Sequence, residues 1–355
     1  MKKLLLAIAI FLGLTNSVIA GGQAGEAEGG FNPSEVIMHH ISDAHEWHFG
    51  GDFAVYLPVM IIDEGFKFLG SSSDFYHDIK EVDGHHYGVK GDYALFHEHI
   101  YKLENGALNF DAEGHPTNQA IIMDFSITKN VASMLISAII LLLIFTTVAK
   151  GYKKNEGKAP KGLQSWLEPV IVFVRDDIAK LMIGNNYARF MPFLLTVFFF
   201  IWINNLLGLV PGGANLTGNI AFTLTLAFVT FIVTTISGNK AYWTHIFALP
   251  GVPKWTLVIL TPIEIIGMFV KPIALMIRLF ANISAGHIII LSIVSLIFIA
   301  GQGSEAIGWG VSPLVGIFTL VMNLMELLVA FLQAFIFTML SALFIGQAVA
   351  DHEHH

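Results

Sequence analysis

The chain has 355 residues, of which 54 % are hydrophobic and only 13 % are charged. This composition is typical of an integral membrane protein and argues against an ordinary soluble domain. There is no cysteine, which excludes disulfides, thiolate metal sites and cysteine nucleophiles. The formal net charge of −8 gives no indication of nucleic-acid binding.

Residues 1–20 have the pattern of a signal peptide. A basic start precedes an apolar core at residues 4–14, which is too short to span a membrane, and Val18-Ile19-Ala20 offers a cleavage site before Gly21. A retained first helix is the alternative. Cleavage predicts that residue 21 begins on the periplasmic side of a bacterial inner membrane.

Residues 21–129 form a polar, histidine-rich region, which we predict to be periplasmic. It holds ten of the fifteen histidines. Residues 33–41 read as a short amphipathic helix, and residues 50–125 contain short β-prone runs broken by glycine. The dipeptide Asn105-Gly106 predicts a hairpin turn. We therefore expect a small β-rich insert outside the membrane.

Histidine pairs in this region raise the question of a metal site. His85-His86 and the pair His97 and His99 have plausible ligand spacing, but the rigid framework of a zinc site is not evident. A solvated segment with histidines explains the pattern equally simply. We predict no metal site and no cofactor.

The membrane domain is predicted at residues 130–355. Its first span covers residues 131–149 and is followed by five lysines: Lys150, Lys153, Lys154, Lys158 and Lys161. The positive-inside rule assigns this loop to the cytoplasm. Residues 166–181 carry too many charges to span, and are read as an interfacial helix or part of a re-entrant pair. Spans at 189–210 and 220–237 follow, and the loop with Lys240 and Lys254 is again cytoplasmic.

Two apolar segments are longer than an upright membrane span. Residues 256–300 and 313–349 would form helices about 67 Å and 55 Å long, against a hydrocarbon core of about 30 Å. No polar loop divides either segment, and Pro272 is the only obvious break signal. We expect two long, strongly inclined helices. The fold class is then an all-α polytopic membrane protein with about five crossings and a cytoplasmic end at residues 351–355.

Arg278 is the most informative residue of these helices. Arginine keeps its charge, and mid-membrane placement costs about 2.5 kcal/mol or more, so such a residue normally faces a partner, a watery cavity or an ion path. No acidic residue occurs between Glu264 and Glu305. Helical spacing puts Arg278 on one face with small or modestly polar neighbours: Gly267, Lys271, Ala274, Ala281, Asn282 and Ala285.

Proton-competent side chains accompany this arginine. His287 lies about 180° around the helix from Arg278. On the last helix, Glu326 shares a face with Asn323, Ala330, Gln333 and Phe337, and it is the only charged residue between 313 and 349. A structural histidine is the alternative for His287. Its occurrence with Glu326, Glu264 and Gln333 favours a proton relay.

The segments KPIALMIRLFANISAGH and ELLVAFLQAFIFTML together resemble the a subunit of F-type ATP synthases. The resemblance covers about residues 33–41, then residue 124 to the C-terminus, and includes INNLLGLVPG and NLTGN. It implies that Arg278 is the essential stator arginine facing a ring of c subunits. Asn282 and Gln333 match the family's polar positions near that arginine. His287 and Glu326 match a polar pair in one aqueous half-channel, and Glu264 matches a carboxylate often found near a half-channel.

This resemblance implies a non-catalytic proton-translocating subunit whose partners are the c-subunit ring, the b subunits of the peripheral stalk, the F1 sector and the lipid bilayer. The chain has no GxxxxGK[ST] phosphate cradle, so it is not expected to bind nucleotide or act as an enzyme on its own. A stand-alone secondary ion or metal transporter is the alternative, but it would predict internal inverted repeats, and none is visible. A purely structural membrane anchor leaves Arg278, His287 and Glu326 unexplained.

Overall fold

The computed structural model describes residues 33–48, 54–82, 85–111, 114–210, 212–247 and 253–350. The predicted signal peptide and the cytoplasmic end at 351–355 lie outside these residues. The described residues fall into two compact units. The N-terminal unit lies within Met1–Leu135 and Val210–Ala214, and the helical unit within Ile136–Leu209 and Asn215–His355.

The N-terminal unit begins with a short helix and continues as small antiparallel sheets, as the glycine-broken β-prone runs predict. Its elements are α1 (Pro33–Ile41), β1 (Glu46–His48), β2 (Ala54–Tyr56), β3 (Pro58–Ile62), β4 (Phe66–Ser71), β5 (Ile79–Val82), β6 (His85–Lys90), β7 (Tyr93–Phe96) and β8 (His99–Lys102). Strands β5 to β8 form a four-stranded meander, while β1–β2 and β3–β4 are two-stranded ribbons. The predicted β-containing region is confirmed.

The predicted hairpin at Asn105-Gly106 is only partly correct. Both residues have positive φ, 55° and 76°, as the turn requires. Only one bridge pair, Glu104 with Ala107, flanks this turn. A full hairpin turn instead joins β7 to β8 at His97 and Glu98, with φ of 45° and 65°. Neither residue carries the glycine or asparagine signal of such turns, so sequence alone did not indicate it.

The helical unit consists of long apolar helices. These are α2 (Lys129–Lys154), which begins in the N-terminal unit, α3 (Leu163–Phe173), a π-helix (Val174–Lys180), α4 (Leu181–Ile183), α5 (Tyr187–Gly208), α6 (Ile220–Ser237), α7 (Lys240–Phe247), α8 (Lys254–Gly303) and α9 (Glu305–Val349). Within the described residues, five helical segments are long and apolar enough to cross a membrane. The predicted polytopic all-α fold is confirmed.

The charged segment before the second predicted span is one arm of a helical hairpin. The chain breaks at Gly184, whose φ is 74°. Phe173 and Phe198 lie on opposite sides of this break, and both rings pack against Phe331, with centroid distances of 6.4 and 5.8 Å. A straight helix would separate Phe173 from Phe198 by about 37 Å. The arms therefore fold back on each other, and the interfacial and re-entrant interpretations of residues 166–181 both stay predictions.

The two long helices are continuous. α8 has 50 residues and α9 has 45. Pro272 lies inside α8 without ending it. α9 begins eight residues earlier than predicted, at Glu305 rather than 313, and Ser304 alone links the two helices. The glycine-containing stretch between them is helical because Gly308 packs closely against Gly301 of α8. The strong inclination of these helices stays a prediction.

The core of the helical unit lies where α5, α8 and α9 meet. Buried apolar side chains from each helix form one cluster, which includes Phe190, Leu194, Phe198, Ile201, Leu275, Leu279, Ala334, Phe337 and Ile345. α9 can approach α4 closely because Gly346 of α9 lies against the Met182 carbonyl of α4, where any Cβ would collide. α9 is the more enclosed of the two long helices, and α8 keeps an exposed side.

Candidate functional site

Arg278 lies on the exposed side of α8. Leu275, Leu279 and Ile283, which follow one another at helical spacing, are buried and fix an adjacent side of the helix, centred about 100° from Arg278, in the core. The exposed side carries Arg278 together with Lys271, Ala274, Ala281, Asn282 and Ala285. Most of these side chains are short, so the surface around the guanidinium is open to close approach by another helix.

Arg278 takes part in none of the ion pairs found in the described part of the helical unit. Those pairs join Asp176 to Arg175 and Lys180, and Glu326 to His287. The other cation on the same side of α8 is held differently: Lys271 Nζ donates to Gln347 Oε1 at 3.0 Å and lies 5.4 Å from the Phe344 ring centroid. The Arg278 guanidinium is thus exposed, with no ion pair to the described residues of this unit.

His287 and Glu326 meet between α8 and α9. His287 Nε2 lies 3.7 Å from Glu326 Oε1, and their side chains are only 13 % and 5 % exposed. This distance is too long for a direct hydrogen bond but short enough for a strong charge contact or a water bridge. Neither carboxylate oxygen of Glu326 has a hydrogen-bond partner among the described residues. A buried carboxylate of this kind needs a proton, a water molecule or both.

Gly286 makes room for this carboxylate. A Cβ placed on Gly286 would lie 2.8 Å from Glu326 Oε1 and 3.3 Å from its Cδ. The glycine before His287 therefore lets the carboxylate rest against the α8 backbone beside the imidazole. From the sequence, Gly286 would be taken for a weak helix breaker. In the structure it lies inside α8 and allows the Glu326 side chain to pack against the helix backbone.

The remaining predicted site residues are distributed along the same two helices. Gln333 is buried on the face of α9 that also carries Glu326, while Arg278 is exposed on α8. No hydrogen bond joins Gln333 to Arg278 in the described chain. Asn282 is exposed one turn after Arg278.

Glu264 is half-buried near the start of α8, close to Tyr242 of α7. Burial, and then the charge of Glu264, raise the pKa of the Tyr242 phenol. Glu264 thus lies apart from the pair formed by His287 and Glu326, and the structure does not bring all six predicted residues into one cluster.

Asn205 forms a buried connection that residue-level reasoning did not identify. Its Nδ2 donates to the Ala330 carbonyl of α9 at 3.1 Å, and its Oδ1 accepts from Thr217 Oγ1 at 2.7 Å. All three groups lie inside the helical unit. The signal was present, because INNLLGLVPG and NLTGN are polar motifs in apolar surroundings. Only the fold shows that Asn205 of the first motif bonds both to Thr217 of the second motif and to the backbone of α9.

A second overlooked group is His45 in the N-terminal unit. Its Nδ1 lies 3.2 Å from Glu98 Oε2, and its Nε2 lies 3.4 Å from Asp124 Oδ2. Burial alone would lower the pKa of His45, but hydrogen bonding and charge from Asp124 and Glu98 outweigh it and raise the pKa to about 9. The positive φ of Glu98 places a carboxylate on this imidazolium. His45, Glu98 and Asp124 thus form an ion network that connects the β7–β8 turn to the segment just before α2.

The histidine pairs considered as metal ligands lie elsewhere in the unit. His85 stacks on Phe110 with ring centroids 4.6 Å apart, and His97 stacks on Phe96 at 4.0 Å. Among the described residues, no group of three histidine or acidic side chains is arranged to hold a metal ion.

Comparisons with known proteins agree with the helical architecture. A family profile described as ATP synthase A chain matches residues 131–346. The chain belongs to this family. The predicted family membership is confirmed, and with five apolar helical segments the chain is a multi-pass membrane protein.

Several curated relatives in the family are named ATP synthase subunit a. The chain is 43 % identical to that of Chloroherpeton thalassium, covering 78 % of this chain and 80 % of the relative. It is 46 % identical to that of Chlorobium phaeobacteroides, covering 77 % and 80 %. It is 42 % identical to "ATP synthase subunit a 2" of Prosthecochloris aestuarii, covering 85 % and 94 %. A separate profile, described as a domain of unknown function (DUF8433), matches residues 36–125 in the N-terminal unit.

Proposed function

We propose that this chain is the proton-translocating stator subunit of an F-type ATP synthase. It provides two aqueous half-channels and a fixed arginine that couple proton flow to rotation of a ring of c subunits, and so to ATP synthesis. The b subunits of the peripheral stalk hold it in place, and the F1 sector makes the ATP. The chain itself carries out no covalent chemistry.

The observation that carries this proposal is the exposure of Arg278 together with its lack of an ion pair among the described residues of the helical unit. A permanent cation on a membrane helix requires a counter-charge or water. Arg278 is exposed, has no ion-pair partner among the described residues of its unit, and is surrounded by short side chains. These features suit a site that meets a carboxylate on a second protein that moves past it. A c-ring carboxylate would fulfil that role.

The proton path is assigned to the other side of α8. His287 lies nine residues beyond Arg278, which is about 14 Å along the helix axis and on the opposite face. Together with Glu326 it forms a pair that can pass a proton through a bridging water. Glu264, nearer the start of α8, belongs in this proposal to the inner half-channel. Asn282 and Gln333 supply polar groups near the arginine.

Each step then follows from charge. A proton from the outer half-channel neutralises a c-ring carboxylate, which can then rotate through lipid without the cost of a bare charge. After nearly a full turn the carboxylate releases its proton into the inner half-channel and pairs with Arg278. Because arginine does not release its own proton, it blocks direct leakage between the half-channels. One charge crossing 100 mV provides about 2.3 kcal/mol, so several protons are needed for each ATP.

Orientation follows from the lysine clusters. The lysines after α2 and those flanking α7 fall on the same side of the proposed topology, and the positive-inside rule makes that side cytoplasmic. We therefore assign the protein to the bacterial inner membrane, with the N-terminal unit in the periplasm after signal cleavage and the C-terminus in the cytoplasm.

The test is substitution of Arg278 in the assembled complex. Arg278→Ala should abolish proton-driven ATP synthesis, and Arg278→Lys should leave little, because lysine is a point charge that can lose its proton. Lys271→Ala removes a cation from the same side of α8 and should keep most of the synthesis. Normal coupled synthesis in an assembled Arg278→Ala complex would overturn the proposal.

The relay is tested separately. Glu326→Gln keeps the shape of the side chain but removes its acid–base chemistry, so proton flux should fall while the complex still assembles. Unchanged flux would remove Glu326 from the path without affecting the role of Arg278. Co-purification distinguishes the subunit from a stand-alone transporter, since a ring of small c subunits and a soluble ATPase head should accompany it.

A further inference from the structure

In the N-terminal unit, a third chain segment is hydrogen-bonded to the ribbon formed by β3 and β4, and one face of this arrangement is apolar. The segment 123–127 runs antiparallel along the free edge of β3, because the Phe125 N–H donates to the Met60 carbonyl at 2.8 Å and the Ile62 N–H donates to the Met123 carbonyl at 3.0 Å. Along a strand, side chains alternate between faces, and residues directly opposite each other share a face. The register therefore determines which side chains lie together.

One face of this sheet is entirely apolar over its central rows. Met60 lies opposite Phe68, and Ile62 lies opposite Phe66. The apolar sheet face consists of Met60, Ile62, Phe66, Phe68, Met123 and Phe125. Phe66 is 67 % exposed and Phe68 is 63 % exposed, and all members except the half-buried Met60 are exposed. The reverse face packs into the core of the unit.

The charges near this face are satisfied within the unit. Asp63, in the turn between β3 and β4, accepts from Tyr93 Oη at 2.8 Å and pairs with Lys102 Nζ at 3.0 Å. Hydrogen bonds from Tyr93 and Lys102 lower the pKa of Asp63 to about 2. The carboxylate therefore stays ionised and paired, and the apolar sheet face is bordered by charges that already have partners.

The chain connects this face directly to a membrane span. Phe125 is four residues before Lys129, where α2 begins, so at most about 14 Å of chain separates them. The start of α2 is held by the same unit: Lys129 N–H donates to the Ala44 carbonyl at 2.8 Å, and Asn130 N–H donates to Asp43 Oδ1 at 3.1 Å. The apolar sheet face is consequently tethered near the membrane surface from which α2 enters.

We propose that the apolar sheet face docks on the lipid bilayer and inserts its phenylalanine rings at the boundary between headgroups and acyl chains. Exposed contiguous apolar surface marks an interaction site, and a bilayer is the apolar phase that the tether keeps within reach. This function is independent of the proton path. It gives the N-terminal unit a role as a membrane-surface anchor beside the first span.

The absence of cysteine makes a direct test simple. Single-cysteine variants Phe66→Cys, Phe68→Cys and Phe125→Cys are labelled with a nitroxide in the full-length protein, in vesicles of phosphatidylcholine and phosphatidylglycerol. Collision rates with oxygen, which concentrates in lipid, and with a water-soluble nickel chelate are then measured. Glu81→Cys, an exposed position on β5, is the matched control.

The ratio of oxygen to nickel collisions should be several-fold higher at the three phenylalanine positions than at the control. A ratio equal to that of the control overturns the proposal, because the face is then in water. Protection from both reagents also overturns it, since a protein partner or a second copy then covers the face. If Phe66→Cys does not fold, Met123→Cys on the same face gives the same readout.

Discussion

A methyl group at position 286 should disable the proposed proton relay of His287 and Glu326 without disturbing the rest of α8. Gly286→Ala would place a Cβ 2.8 Å from Glu326 Oε1, well inside the contact distance. Alanine in a helix is ordinarily favoured over glycine by about 0.5–1 kcal/mol, whereas overpacking a buried site costs about 1–3 kcal/mol. The carboxylate can relieve the overlap by rotating away from His287. A barrier raised by about 1.4 kcal/mol slows proton transfer about tenfold.

The assay is ATP-driven proton pumping into inverted vesicles, normalised to the amount of assembled complex. Gly301→Ala is the matched control, because a Cβ at that position of the same helix meets nothing within 4 Å. Pumping should fall about tenfold in Gly286→Ala and stay close to wild type in Gly301→Ala. Adding Glu326→Asp, which shortens the carboxylate by one methylene, should restore part of the loss. Equal pumping in the two alanine variants would refute the reasoning.

Three further predictions concern stability. Asn205→Ala removes the hydrogen bonds to Ala330 and Thr217 and leaves the buried Thr217 hydroxyl without this acceptor. The unfolding temperature of the complex should fall by the equivalent of about 1–3 kcal/mol, whereas Asn204→Ala, whose side chain donates within its own helix, should cost less. Because the pKa of His45 is raised, its ion pairs stabilise the N-terminal unit fully below pH 6.5, and this stabilisation is lost as the pH rises through about 9. Between these pH values, the unfolding temperature of the His45→Gln variant should therefore change less than that of the wild type. Gly346→Ala collides with a backbone carbonyl and should reduce assembly, measured as the yield of intact complex, whereas Gly310→Ala, with open space around it, should not.

The helices could be predicted because apolar runs and lysine clusters are long-range signals. Residues 220–237 were predicted with the bounds that α6 has, and the continuity of α8 followed from the lack of a polar break. The start of α9 was predicted too late. The residues between 300 and 313 lie outside both predicted apolar segments, but all except Ser304 are helical, and Gly308 packs closely against Gly301 there.

The site could be predicted only in part. Arg278, His287 and Glu326 were conspicuous because charge is rare in apolar segments. The role of Gly286 could not be predicted, because a glycine carries no chemical group that points to a site. Its role depends on Glu326 of α9, which it faces only in the folded chain. The same holds for His45, whose partners Glu98 and Asp124 are distant in sequence and come together only through a turn with an unusual backbone conformation.

The single-residue link at Ser304 has a mechanical consequence for the whole subunit. α8 and α9 are joined covalently at one end, and near the other end Lys271 is hydrogen-bonded to Gln347. The covalent link at one end and this hydrogen bond near the other both oppose lengthwise sliding of the two helices. The position of Glu326 along α8, beside His287, is fixed by these two links together with the packing between the helices. In the stator role that we propose, helices linked in this way would resist bending under torque, and rotation of the c-subunit ring would take up the work of each proton.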